Sequence, residues 1–513
     1  MILKSVGMNA IQEVIHLMND EDIKVFSLYL DKKNKRKDVR NTELFNLLKT
    51  DDIKVKKKSF PDKKSADAYH ALSKRLYDTL VEFMANRSFE NDTSDEHAVL
   101  RLLVVSRLFF EHKLTKAAFK SLAKAESIAT ELEHFSLLNE IYHTQIQFAH
   151  LNPALPLDEV IKKFAANKKK LEQEEQLNLG YALLRRELAQ MYHEGKIVDF
   201  QELIKNTIAT HGISLRQVLT FKSLYQILFI ANEYASLNSD YGKIAPFIAK
   251  SYMFINGNAA LAERHLYYHI YILYFMANFH FRNGRFSDSQ EYLEKMREQL
   301  QKQGGKYYNR FCLRYFLLKA LNENYSGNPG KAVDIAERAL AQHKKADAND
   351  IADLRLLLIV IYLQQDAGRD AAKEMVKLSH SDSWYEKKMG MEWAIKKCLV
   401  EILLHVQQEY TELALSRIKS FKRRYKKYLA SVNEDRVVQY LALIERYALK
   451  PEILATPKFK NTVKEFIEQA RSGPQDIFVM SFVAWLLARV NKKLVYDTTL
   501  GVLGGYFSPS HSE

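Results

Sequence analysis

His265 and His269 stand four residues apart in the run ERHLYYHIYIL, a spacing that puts both imidazoles on one helix face, where they could hold a metal ion. No third ligand follows at a workable spacing and the 16 histidines are scattered, so the pair reads as structural or hydrogen-bonding. The two cysteines, Cys312 and Cys398, are too few and too far apart for a disulfide framework or a zinc site. Cys312, between Phe311 and Leu313, reads as a small buried hydrophobe. Gln303-Gly-Gly-Lys306 is the nearest approach to a phosphate-cradling loop, and it lacks both the length and the hydroxyl. His-Glu-x-x-His and Gly-x-Ser-x-Gly do not occur. The chain is therefore expected not to be an enzyme and to need no cofactor or metal. A hydrolase or transferase assembled from distant positions ranks third among the function classes.

The remaining chemistry is cationic. Residues 32–75 hold 15 Lys and Arg against 6 Asp and Glu, a net of +9 out of +14 for the whole chain. Such a concentration points to an anionic partner more than an evenly basic surface would. It includes Lys56, Lys57 and Lys58 in KVKKKSFPDKK and continues onto a helix expected from Asp62 to about Asn86. At 100° per residue Lys63, His70 and Lys74 share one face of that helix, while Leu72, Leu76, Leu80 and Phe83 share the opposite one. A second cluster, RIKSFKRRYKKYL, forms an amphipathic helix whose outer face carries Arg423, Arg424 and Lys427 among other cations. These nine residues are the candidate anion or nucleic-acid contacts; a solvated basic face is the competing reading at both places.

Composition bounds the elements that position them. Hydrophobic residues make up 47% and charged residues 27% of the 513, which excludes wholesale disorder. With 17 Gly and 9 Pro the chain has few sharp turns, which favours long helices over many-stranded sheets. No segment approaches 18 consecutive apolar residues and the N-terminus does not resemble a signal peptide, so a cytoplasmic location without a transmembrane segment is expected.

One pattern recurs from about residue 95 to 470: an apolar helix, a short polar or Gly turn, then a helix opening on a small residue. Its turns fall at His112, Gly195, Ser239, Gly284, Gly327, Asp366 and Gln408. From Gly195 onward they are 44, 45, 43, 39 and 42 residues apart, and the gap before it has room for two units with a turn near Asn152-Pro153. Each helix pair is too apolar to stand alone, so stacked neighbours must bury a continuous core. The stripes Tyr267, Tyr268, Tyr271, Tyr274, Phe275 and Leu354, Leu357, Leu358, Ile361, Tyr362 read as that core.

In LNENYSGNPGKAVDIAERAL, the turn Gly327-Asn-Pro-Gly-Lys-Ala332 followed by Ala336 and Ala339-Leu340 resembles the turn and second helix of a tetratricopeptide repeat. Gly284-Arg-Phe286-Ser-Asp-Ser289 fills the same slots, whereas the Trp-Leu-Gly signature of the first helix is missing throughout. The resemblance implies an all-α right-handed superhelix of about eight helix pairs with a concave binding face. The expected organisation is a basic helical unit over 1–90, the repeat array over 91–472, and a buried cap helix with a loosely held tail over 473–513. A basic helical head before such an array also resembles transcriptional regulators with a tetratricopeptide sensor, and peptide-signal receptors of phage and Gram-positive bacteria. No tight helix-turn-helix glycine and no wing accompany it here. Two function readings are expected on this basis: a non-catalytic adaptor holding a protein or peptide partner in its groove, and a regulator whose N-terminal unit binds nucleic acid.

Overall fold

The computed structural model describes residues 11, 14–15, 18, 20–33, 40–49, 63–91, 95–194, 199–213, 220–237, 241–343, 346–432, 434–471 and 477–507. Every regular element among the described residues is a helix, and the chain divides into two compact units, residues 1–164 and 165–513.

In the first unit, α1 (Asp20–Lys33), α2 (Arg40–Lys49) and α3 (Lys63–Asn91) surround Phe26, whose ring centroid lies 4.9 Å from that of Phe45 and 5.0 Å from that of Phe83. The leucine stripe of α3 is buried as its spacing requires, Leu76 and Leu80 completely. The helix continues past the expected end near Asn86 to Asn91. After it, α4 (Asp95–Glu111), α5 (Thr115–Glu131) and α6 (Phe135–Gln147) pack in sequence over Leu103, Ala118, Leu122 and Ala125. The expected turn near Asn152-Pro153 is present, but beyond it the chain runs as one helix, α7 (Leu157–Glu194), of 38 residues. Its sequence has no Pro and a single Gly among many Ala, Leu, Lys, Gln and Glu, so nothing in it stops a helix. The boundary between the units falls inside it.

The second unit continues with α8 (Phe200–Thr210), α9 (Phe221–Leu237), α10 (Ala245–Gly257), α11 (Leu266–Arg282), α12 (Phe286–Gln301), α13 (Tyr308–Tyr325) and α14 (Pro329–Gln342). It goes on through α15 (Ala348–Gln364), α16 (Gly368–Lys377), α17 (Asp382–Met389), α18 (Met391–Gln407), α19 (Thr411–Ser431), α20 (Asp435–Leu449), α21 (Pro457–Arg471), α22 (Ile477–Asn491) and α23 (Val495–Phe507). Helices α11, α13, α15 and α18 each pack on the helix that comes after them in the chain, respectively α12, α14, α16 and α19, and these four first helices also contact one another in succession.

One turn geometry recurs. Lys113, Gly284, Gly327, Asp366 and Glu409 are left-handed, with φ of 60, 70, 97, 56 and 62°. At each, the next residue's N–H donates to the carbonyl five positions back, as in Arg285 to His280, Asn328 to Glu323 and Ala367 to Tyr362. This satisfies the last carbonyls of the outgoing helix. Five residues beyond each left-handed position stands a small residue with no exposed surface: Ala118, Ser289, Ala332, Ala371 and Ala414. A residue of that size lets the returning helix lie against the outgoing one, and Ser289 Oγ donates to the carbonyl of Ala277 at 2.8 Å. The turns expected at Gly195 and Ser239 lie outside the described residues.

The helix expected as a cap, α22, lies across the C-terminal ends of several first helices. Ser481 Oγ is 3.0 Å from Tyr325 Oη and 3.4 Å from Gln364 Nε2, Trp485 Nε1 donates to Gln407 Oε1 at 3.1 Å, and Arg489 pairs with Asp366 at 2.8 Å. The reason is its apolar circumference: Met480, Val483, Ala484, Trp485, Leu486 and Ala488 are all buried, and no single flank could cover them. The segment expected to be a loose tail is helical as far as Phe507, because Val502 and Leu503 are buried among neighbouring helices.

Candidate functional site

Stacking with a period near 40 residues brings equivalent positions of consecutive first helices face to face. Tyr225 of α9 packs against Tyr268 and Tyr271 of α11, with centroids 5.6 and 4.9 Å apart. Tyr271 Oη accepts from Arg314 of α13 at 3.0 Å, and Arg314 Nε donates to Asp350 of α15 at 3.2 Å. Asp353, one turn on, accepts from Trp393 Nε1 of α18 at 2.7 Å. Arg310 sits 5.0 Å above the Tyr267 ring. A ladder of tyrosine, arginine, aspartate and tryptophan thus runs across four helices, each rung being the chemical complement of the next.

Between α13 and the end of α14 the ladder opens into a cleft of about 940 Å³, lined by Tyr271, Asn309, Arg310, Arg314, His343 and Asp350 among others. Arg310 is exposed and makes no ion pair among the described residues. His343 contributes a buried Nε2 with no hydrogen-bond partner. Arg314 is already bound to Asp350, so among the described residues lining the cleft Arg310 is the cation without an ion pair. Tyr271 and Phe275 are buried, in line with the core reading of the aromatic stripe, while Tyr267, Tyr268 and Tyr274 are partly buried against the same cluster and keep some surface along the ladder. The visible signal for the missed members was charge inside otherwise apolar first helices, Arg310 with Arg314 and Asp350 with Asp353.

Burial pushes the Asp353 carboxyl up to about 6 against the opposing hydrogen bond from Trp393, and pushes the Tyr274 phenol up to about 12. An aspartate ordinarily titrates near ~3.9, so from there to about 6 the unfolded chain ionises first and folding stability declines with rising pH. Asp353→Asn keeps an acceptor for Trp393 and removes the charge. It is expected to raise stability above pH ~6 and flatten that limb, which urea titrations between pH ~4 and ~7 read directly.

The candidate contacts proposed from charge divide between the two units. Lys56, Lys57 and Lys58 lie outside the described residues, and Lys63 opens α3. His70 and Lys74 are exposed on the side of α3 away from its buried leucines. The same unit neutralises part of its charge internally, Lys33 pairing with Glu82 and Arg87 with Glu21 and Asp22. In the other cluster, Arg423, Arg424 and Lys427 are all exposed, but Arg424 is not a free cation. It is forked onto Glu386 of α17, and although burial alone would raise the Glu386 carboxyl, the pair holds it below its ordinary range. Lys422 is likewise paired with Glu445. A single-helix projection sees the cations and not the acids that neighbouring helices bring to them.

His265 and His269 are both shifted toward the neutral form by burial, His269 to about 4, and His265 stacks on Phe221 with centroids 5.2 Å apart. No group of three or more metal-ligating side chains occurs among the described residues. Burial pushes the Cys398 thiol up to about 12 and raises that of Cys312, which leaves both as poor nucleophiles. No helix of the described residues is long and apolar enough to cross a membrane. In comparisons with known proteins, no family model and no curated protein matches the chain.

Proposed function

We propose that the protein is a non-catalytic interaction scaffold whose second unit, a tetratricopeptide-like array, holds a peptide or partner helix along the ladder of first helices. The observation that carries this reading is the cleft beside Arg310: a cation without an ion pair among the described residues, stacked on Tyr267 and bordered by Tyr271 and His343. Binding surfaces owe most of their affinity to a few aromatic and arginine anchors, and both kinds are assembled here. The ligand that fits presents a carboxylate to Arg310 and an apolar side chain to the tyrosines.

The reading is tested by selecting peptides on the intact protein from a random display library and re-measuring the enriched ones on Arg310→Glu. Enriched peptides should carry Asp or Glu beside an apolar residue, and Arg310→Glu should weaken them by roughly tenfold or more, the loss of a charge-assisted contact worth ~1.5–3 kcal/mol. Failure to enrich any family, or affinities indifferent to Arg310→Glu, would remove the groove from consideration.

A regulator with a nucleic-acid-binding head draws support from the exposure of His70 and Lys74 on one side of α3. It requires that the intact protein bind duplex DNA with an affinity falling steeply with salt and dropping further on Lys74→Ala. Absent or salt-indifferent binding eliminates it.

A further inference from the structure

The second helices of the repeating pairs, α12, α14, α16 and α19, differ in how their charge is balanced. α12 carries two basic residues and four acidic ones, α14 two of each, and α16 three and two. Cations on these three pair within their own helix, as Lys295 does with Glu291, Arg338 with Asp334 and Lys373 with Asp370. α19 instead carries seven basic residues and one acid, Glu412, in its first turn.

Three of the seven are neutralised from outside the helix. Arg417 holds Asp382 of α17 and Glu401 of α18, Arg424 holds Glu386 of α17, and Lys422 holds Glu445 of α20. The next acids along, Glu392 and Glu434, pair with Lys396 and Arg436. Lys419, Arg423, Lys426 and Lys427 remain, all exposed and with no ion pair among the described residues. Lys387 and Lys388, which follow Glu386 in the last turn of α17, are exposed and without an ion pair in the same sense. The 2.6 Å hydrogen bond from Arg424 to Glu386 holds α17 beside α19, so these six cations lie on adjoining helices.

α17 itself shows what fits against such a face. Its Asp382 and Glu386 stand four residues apart, about one turn, and reach Arg417 and Arg424 from a helix lying alongside. Lys419, Arg423 and Lys427 repeat the four-residue interval on the outer face, a rise of roughly 6 Å per step, so carboxylates at the same interval on another helix meet them in turn. Near the start of α19, Tyr410 and Leu413 are 53% and 55% exposed, an apolar contact that suits an amphipathic protein segment and gives a phosphate backbone nothing to bind. The apolar side of α19 is spent on the core, with Ile418, Phe421, Tyr425 and Leu429 buried, and so cannot enter a lipid surface.

We propose that the outer face of α19 docks an acidic helix of a partner protein, one whose carboxylates recur every four residues and which sets an apolar side chain on Tyr410 and Leu413. Exposed ion pairs contribute little singly, so selectivity rests on several being made together in register. None of these residues lines the cleft beside Arg310, and the proposal does not depend on that cleft being a binding site.

The test is fluorescence anisotropy with a labelled alanine-rich helical peptide carrying a leucine near one end and three glutamates at intervals of four. Its control has the same composition with the glutamates contiguous. Both are titrated with the intact protein, with Arg310→Glu, and with Arg423→Glu combined with Lys427→Glu, which alters only exposed side chains. The spaced peptide is expected to bind saturably, roughly tenfold tighter than the control, equally well to wild type and Arg310→Glu, and at least roughly tenfold more weakly to the double variant. The urea unfolding curve of the double variant should match that of wild type. Oligothymidine of equal charge and vesicles of phosphatidylserine with phosphatidylcholine should bind more weakly than the spaced peptide at an ionic strength of ~0.15 M. The proposal is overturned by absence of saturable binding, by equal affinity for the control peptide, by binding that Arg310→Glu abolishes or the folded double variant retains, or by tighter binding of the oligonucleotide or the vesicles.

Discussion

Replacing Arg417 by methionine is expected to destabilise the second unit by about 3 kcal/mol or more, the cost of leaving one side of a buried ion pair uncompensated. Arg417 reaches from α19 to Asp382 of α17 through two hydrogen bonds of 2.7 Å and to Glu401 of α18 through contacts of 3.0 and 2.8 Å. All three side chains are about one-fifth exposed or less. Lys397 remains 2.9 Å from Glu401 and 3.7 Å from Asp382, so the loss falls short of exposing two bare carboxylates. Burial alone would raise the Asp382 carboxyl, yet the Arg417 fork outweighs it and holds the group below its ordinary range. A carboxyl with a lowered folded-state pKa contributes stability above its unfolded value, near ~3.9, and loses it as pH falls through the lowered value. Without Arg417 burial dominates and the sign inverts. The gap between wild type and Arg417→Met should therefore be widest near pH ~7 and shrink toward pH ~4, as paired urea titrations would show; a gap independent of pH would mean that packing, not charge, is what Arg417 supplies.

Ending the chain at Arg471, and so removing α22 and α23, is expected to have the larger effect. Trp485, Leu486, Met480 and Ala484 are essentially without exposed surface, and a large apolar side chain contributes about 1.5–3 kcal/mol on burial. α22 supplies Ile477, Met480 and Ala484 to the hydrophobic cluster around α9, α11 and α12, and Val483, Trp485 and Leu486 to the one around α15, α18 and α19. Summed over the large side chains among these, the loss is comparable to the ~5–15 kcal/mol that a whole domain has in reserve. The shortened chain should bind an apolar dye and lose its cooperative unfolding transition, as followed by fluorescence and circular dichroism. Trp485→Ala, at about 3–5 kcal/mol, is the graded version of the same test. Retention of wild-type unfolding by the shortened chain would show that the first helices cover themselves.

What could be read from the chain depended on how local the cause was. The turns at Gly284, Gly327 and Asp366 were legible because a left-handed residue, a helix stop and a small residue five positions on all lie within one short stretch. The stripe of α3 was legible for the same reason. The length of α7 was not, since the repeat suggested a break that no residue in it enforces. Among site residues, the Tyr267–Tyr271 stripe was visible, but its partnership with Arg310 and Arg314 was not, because it arises from two helices meeting 43 residues apart. Arg424 is solvent-facing as its helix face predicts, but its ion pair was hidden by the same blindness: Glu386, its partner, is 38 residues away.

Arrays built from neighbour-to-neighbour contacts can form piecewise as a chain leaves the ribosome. The hydrogen bond between Tyr325 and Ser481 spans 156 residues of sequence and that between Tyr496 and Asn324 spans 172, so this array cannot finish that way. Until the last turns of α23 have been synthesised, the ends of α13, α15 and α18 have no cover, and the apolar surface awaiting α22 is open to whatever else is nearby. Completion of this packing thus waits on the synthesis of α22 and α23. A ribosome stalled before α22 would release a chain with that apolar surface open, a natural client for chaperones and proteases.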